Sequence, residues 1–253
     1  MGSNGQRRRV SLVAEHYNID TASFKMRADP MLHHDKNAAR DSHDVFNLVM
    51  LVPVISLNLM NWRFEWSTPL PALWHGRYFM PFWWTTCGYF VADVAFVVLW
   101  PSCVKSPRVI VRHHVCTLAY ICLPLFMPEC RWLMGSCMIV EVNTWLLIAR
   151  RFFNRAGDAP FCSIGVPFTK SLRIKLISVG FYLTWFVIRI LFYPALFFMI
   201  LTAYEERTKQ LGTRLNGLAI APLFHLVFIY LNFKWTVDLV RSKLRSSPPA
   251  KGL

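Results

Sequence analysis

Acidic side chains are scarce in this chain: fourteen Asp and Glu face twenty-eight Lys and Arg among 253 residues. The shortage is sharpest inside the long apolar stretches, which contain just two acids away from their ends, Asp93 and Glu141. There is no CxxC pair, Walker-type loop, GxxxG stripe or internal repeat. Zinc-finger, RNP and basic-helix patterns are missing too, so the formal charge of +14 is not read as a nucleic-acid footprint. Its anionic partner is more simply the cytosolic lipid surface. The seven cysteines are odd in number and lack metal-type spacing, which argues against a disulfide framework and for apolar thiols in a reducing setting. The first apolar run begins at Val45, too deep in the chain for a signal peptide. Gln6 stands where a myristoylation signal needs Ser or Thr.

What is abundant is apolar length. The chain is 55% apolar, with ten Trp and twenty Phe, and its apolar residues gather in blocks of membrane-crossing size. The expected fold class is an all-α integral membrane protein with six transmembrane helices, at roughly 45–62, 79–100, 109–127, 132–149, 176–202 and 216–238. The fifth is long and contains Pro194, so a tilt or kink is expected there. The fourth carries Glu141 near its middle, which a bundle interior would tolerate and a lipid-facing helix would not. With the N-terminus in the cytosol, the cytosolic segments hold twenty Lys and Arg and the opposite side six. The positive-inside rule therefore puts both termini in the cytosol. The domains read as a polar cytosolic segment 1–44, a membrane domain 45–240 and a disordered basic tail 241–253. His33, His34, Asp35, Asp41, His43 and Asp44 lack metal-ligand spacing and read as a solvated arm, and no metal site is expected.

Ionisable groups inside apolar spans usually line a buried chamber or pathway. Here they are Asp93, the pair His113 and His114, Glu141 and Arg189, in four different spans. Helical spacing sets Thr86, Tyr89 and Asp93 on one face of the second span, and Cys137, Glu141 and Thr144 on one face of the fourth. His113 shares its face with Cys116, Thr117 and Tyr120, so it is the better candidate for a reactive imidazole, with His114 supporting it. Arg189 aligns with Tyr182, Trp185 and Tyr193, and His225 with Asn232 and Thr236. The expected catalytic set is His113, His114, Asp93 and Glu141. Arg189, Tyr89, Asn143, Thr144 and His225 are the expected substrate-binding residues.

Four runs, Gly88-Tyr89-Phe90-Val91-Ala92-Asp93, Arg112-His113-His114-Val115, Glu141-Val142-Asn143-Thr144 and Arg150-Arg151-Phe152, resemble the TLC domain in order and spacing, as does Phe186-Val187-Ile188-Arg189. That family includes ceramide synthases, TRAM translocon proteins and TLC-domain-containing lipid regulators. The resemblance implies a six-helix barrel around a lipid cavity, usually in the endoplasmic reticulum. Carried over by position, His113 and His114 match the histidine pair that serves acyl transfer in ceramide synthases, and Asp93 matches the acid of the preceding helix. Where ceramide synthases carry an Asp-rich D-x-x-D stretch, this chain has Glu141-Val142-Asn143-Thr144, closer to the lipid regulators.

Two functions stay open. One is an acyltransferase that takes its acyl group from an acyl-CoA co-substrate, His113 acting as general base or acyl carrier with Asp93 or Glu141 orienting it. The other is a non-catalytic protein that senses, positions or traffics membrane lipids. No cofactor is expected, and the partners are membrane lipids, acyl-CoA and, among proteins, a second copy of the chain in a homodimer. Bis-histidine haem is disfavoured, because adjacent histidines project about 100° apart on one helix.

Overall fold

The computed structural model describes residues 21–63, 65, 67–155 and 167–246. Expectations for residues 1–20, for the stretch 156–166 and for the end of the tail lie outside these. The described chain contains helices and no strand; its one β-type feature is an isolated antiparallel bridge between Trp62 and Trp74. The helices are α1 (Thr21–Leu59), α2 (Leu70–Leu73), α3 (Phe79–Leu99), α4 (Pro107–Phe126), α5 (Arg131–Met138), α6 (Val140–Arg155), α7 (Pro167–Thr184), α8 (Tyr193–Leu211) and α9 (Ile220–Ser246). A π-helical segment, Trp185–Phe192, joins α7 to α8 without a break.

Six helical stretches are long and apolar enough to cross a membrane: Asn37–Leu59, Phe79–Leu99, Pro107–Phe126, Pro128–Phe153, Leu172–Leu211 and Gly217–Arg245. This is an integral membrane protein. Each span contacts its neighbours in the spatial order first, second, third, sixth, fifth, fourth and back to the first, a closed ring. The outer surface is hydrocarbon-like, with Trp84, Phe126, Leu223 and Phe233 exposed. Because lipid tails are as apolar as these side chains, the ring is held by close packing and interhelical hydrogen bonds. Asn58 at the end of α1 supplies several of the latter. Its amide donates to the Gly135 carbonyl at 2.9 Å, and its oxygen accepts from both Trp62 and Trp74. Gly135 has no room for a side chain, since a Cβ there would meet the Trp74 ring nitrogen at 2.1 Å. At the end of α8, Gly212 adopts the left-handed conformation that stops the helix.

Three differences from the sequence reading bear on function. The first span starts earlier than Val45, because α1 runs unbroken through the polar residues before it. His43 and Asp44 are buried, at 6% and 0% exposure, not solvated. The fourth span is interrupted at Ile139 between α5 and α6 and is the most enclosed of the six, with 61% of its apolar window buried against 28–33% for the others. That burial is what makes Glu141 tolerable. In the fifth span, Pro194 has no N–H to donate, and the chain widens to i→i−5 winding just before it, the Tyr193 N–H bonding to the Ile188 carbonyl.

Candidate functional site

The ring encloses a cavity of about 570 Å³. At one end it is lined by Lys105, Arg151, Asp238 and Ser242, where α4 begins and α6 and α9 end. At the other end Cys137, Tyr193 and Phe228 close it. His113, His114, Tyr89, Glu141, Thr144, Arg189 and Asn232 face it between these ends.

The acidic half is built around Asp93 on α3, which is 1% exposed. His114 Nδ1 lies 2.9 Å from its Oδ2, within ion-pair distance though outside hydrogen-bond angles. His43 Nε2, from α1, lies 2.7 Å from Oδ1. Asn47, one turn further along α1, donates to the same oxygen at 3.2 Å and accepts from the Tyr89 hydroxyl at 2.6 Å. A buried carboxylate is thereby met by three side chains, as a charge in a membrane interior requires. With Nδ1 turned to Asp93, the fitting tautomer of His114 carries its proton there and leaves Nε2 with its lone pair, on a residue that lines the cavity.

His113 has a different setting. Its ring stands perpendicular to Phe228 and Trp235 of α9, with centroids 5.7 and 5.4 Å away, and its buried Nδ1 has no hydrogen-bond partner. The two rings point about 100° apart. α3 covers the side of His114, where Phe90 also packs, and α9 covers the side of His113. Asp93 therefore orients His114, whereas the sequence reading paired a carboxylate with His113.

The basic half centres on Arg189 in the π segment, 8% exposed. Its Nε donates to Asn143 Oδ1 at 2.7 Å, Nη1 to Asn232 Oδ1 at 2.5 Å and Nη2 to Thr144 Oγ1 at 3.2 Å. The guanidinium also lies over Trp185 and Trp235, at 4.8 and 5.6 Å. Tyr182 does not share this face: it is 37% exposed and meets Arg150 and Lys243. The extra residue in each π turn shifts the register that uniform α spacing predicts.

Three expected site residues do not line the cavity: Asp93, which stands behind His114, and Asn143 and His225. Asn143 stands behind it, its amide donating to the Phe181 carbonyl and Thr184 while its oxygen holds Arg189. His225 is fully buried among Tyr193, Phe197 and Phe228, its Nε2 2.8 Å from the Tyr193 carbonyl. Conversely, the sequence reading missed His43 and Asn47 as partners of Asp93, and the ion pair of Arg151 with the fully buried Asp44. The i, i+4 spacing of His43 and Asn47 at the edge of the first apolar run was the available signal. Among the described residues no three His, Cys, Asp or Glu gather as a metal site.

A closed six-helix ring with the paired histidines and a buried acid on its inner wall is what the resemblance implied, and a family comparison decides the matter: the TLC domain model matches residues 42–241. The chain belongs to the TLC-domain family. No curated protein and no solved structure matches it. The TLC domain thus takes in all six spans of the ring, from Ser42 within α1 to Arg241 near the end of α9. A membrane-embedded TLC domain fits interaction with membrane lipids.

Proposed function

We propose that the protein transfers an acyl group from an acyl-CoA thioester to a lipid acceptor within this cavity. The observation that carries the reading is the His114–Asp93 contact, 2.9 Å long, with the imidazole facing a cavity whose mouth is basic. A carboxylate on Nδ1 keeps Nε2 unprotonated and stabilises the imidazolium when it forms. In the proposed step His114 Nε2 takes the proton of an acceptor amine or hydroxyl as that group attacks the thioester carbonyl. The C–S bond then breaks, and the departing thiolate of CoA takes the proton from the imidazolium. Lys105 at the mouth offers its ammonium to the phosphates of CoA. His113 lies beside His114, with ring centroids 5.4 Å apart, and borders the same space.

The test is an acyl-CoA-dependent assay on purified protein in lipid. Replacing His114 by Ala should lower turnover roughly 10²- to 10⁴-fold, the usual contribution of a general base. Unchanged turnover in a folded His113→Ala/His114→Ala variant rejects the reading.

A second reading, lipid binding without catalysis, is favoured by one observation. Glu141-Val142-Asn143-Thr144 replaces the Asp-rich stretch of ceramide synthases, and its Asn143 and Thr144 hold Arg189. A lipid phenotype in cells lacking the protein, with no turnover from any acyl donor, selects this reading. Residence in the endoplasmic reticulum membrane, kinship with the TLC-domain-containing lipid regulators and assembly as a homodimer belong to the same proposal. Fractionation tests the first, and cross-linking in native membranes tests the last.

A further inference from the structure

Arg189 presents a buried full charge that the described residues do not neutralise by contact. Its three acceptors, Asn143, Asn232 and Thr144, are all neutral, and among the described residues no carboxylate comes within ion-pair distance. Buried charges are ordinarily paired, because an unpaired one forfeits its hydration without compensation. The other charges around the cavity are accounted for differently. Arg151 is paired with Asp44, Asp238 with Lys234, and Lys105 is exposed at the mouth. Glu141 faces the same space but makes no ion pair with the guanidinium among the described residues.

Three of the five guanidinium N–H groups are engaged by these acceptors, which leaves two for a ligand. Trp235 touches both the guanidinium and His113, so a group bound at Arg189 sits across one indole ring from the paired histidines. The cavity falls in the ordinary range of about 300–1,000 Å³ for small-ligand sites. That suits a single acyl chain with its head better than a whole two-chain lipid.

We infer that Arg189, with Asn232 and Thr144, forms an oxyanion-binding subsite that takes the carboxylate or phosphate head of a single-chain lipid. The inference rests on the reading of the cavity as a lipid site and adds the head-group class. The carboxylate or phosphate replaces remote compensation by Glu141 with direct, charge-assisted hydrogen bonds.

The experiment measures thermal stabilisation of the full chain in nonionic micelles by oleate, lysophosphatidate, oleyl alcohol and inorganic phosphate. Oleate and lysophosphatidate should bind roughly ten- to a hundredfold more tightly than oleyl alcohol, the difference a charge-assisted contact makes. Stabilisation by inorganic phosphate beside the two anionic lipids supports the same oxyanion subsite, whereas stabilisation by phosphate and by neither anionic lipid overturns a lipid head as its ligand. Arg189→Gln should abolish the preference for anions. Because that variant also removes three hydrogen bonds, Asn232→Asp is the sharper one. It keeps the side-chain shape and sets a resident carboxylate on Nη1, so it should erase the preference while oleyl alcohol still binds. Equal binding of oleate and oleyl alcohol by the wild type, no stabilisation by any of the four, or an undiminished preference in Asn232→Asp overturns the inference. Its fate is separable from that of acyl transfer. An anion preference without turnover keeps this subsite and sinks the enzyme, and turnover without the preference does the reverse.

Discussion

The two charge clusters beside the cavity, one behind its wall at Asp93 and one on it at Arg189, handle buried charge in opposite ways. Around Asp93 the protein supplies its own complement: two imidazoles and an amide, from α1 and α4, converge on one carboxylate. Around Arg189 it supplies neutral acceptors and two indole faces, and no carboxylate among the described residues comes into contact. A group already complemented within the fold can orient its neighbours but has little left for a ligand. A group whose charge is left open is built to receive one. The acidic half is therefore suited to hold a histidine in one tautomer, and the basic half to hold a substrate.

The contrast can be broken first by rate. Asp93→Asn should cut acyl transfer roughly 10²- to 10⁴-fold by freeing the His114 tautomer. His43→Gln should cost about tenfold at most, because His43 shares the carboxylate without lining the cavity. Equal losses from the two would mean that Asp93 serves both histidines alike.

Stability gives the next test. Asp93→Ala strands two imidazoles and should destabilise the protein by about 3 kcal/mol in thermal unfolding without ligand. Arg189→Gln removes an unpaired charge along with its hydrogen bonds and should cost about 1 kcal/mol or less. If the Arg189 variant were the less stable one, the guanidinium would be a structural strut.

Gly135→Ala, remote from both halves, sharpens the comparison as a control. It should destabilise by about 1–3 kcal/mol through the Trp74 clash and leave the relative binding of oleate and oleyl alcohol as in the wild type.

The smallest effect reports on charge at a distance. Cys103, between α3 and α4, has its thiol pushed up to about 11 by burial first and by the Asp93 carboxylate second. At neutral pH it is protonated and should react slowly with maleimide, and Asp93→Asn should speed that reaction modestly. No acceleration would mean that the two groups are electrostatically separate.

The polar stripes were legible because α-helical spacing is rigid. Thr86, Tyr89 and Asp93 are all buried on α3, and Cys137, Glu141 and Thr144 all face the cavity. Where the winding changes, the same arithmetic misleads: the π segment moved Tyr182 away from Arg189. The choice of His114 over His113 as partner of Asp93 was not legible either. Both histidines fit the local pattern, and the decision lies in which neighbouring helix covers which side. His43 escaped for a related reason, since a polar residue just before an apolar run looks solvated until the ring closes over it.

By itself, then, the order of residues determined the six crossings, the membrane as solvent and the set of charges that had to be hidden from it. Those follow from the length of each apolar run and from the hydration a charge loses in hydrocarbon. Only the tertiary structure decided which charges meet. Pairing across 50 residues, as between His43 and Asp93, depends on the ring order of the helices, and no local periodicity encodes it.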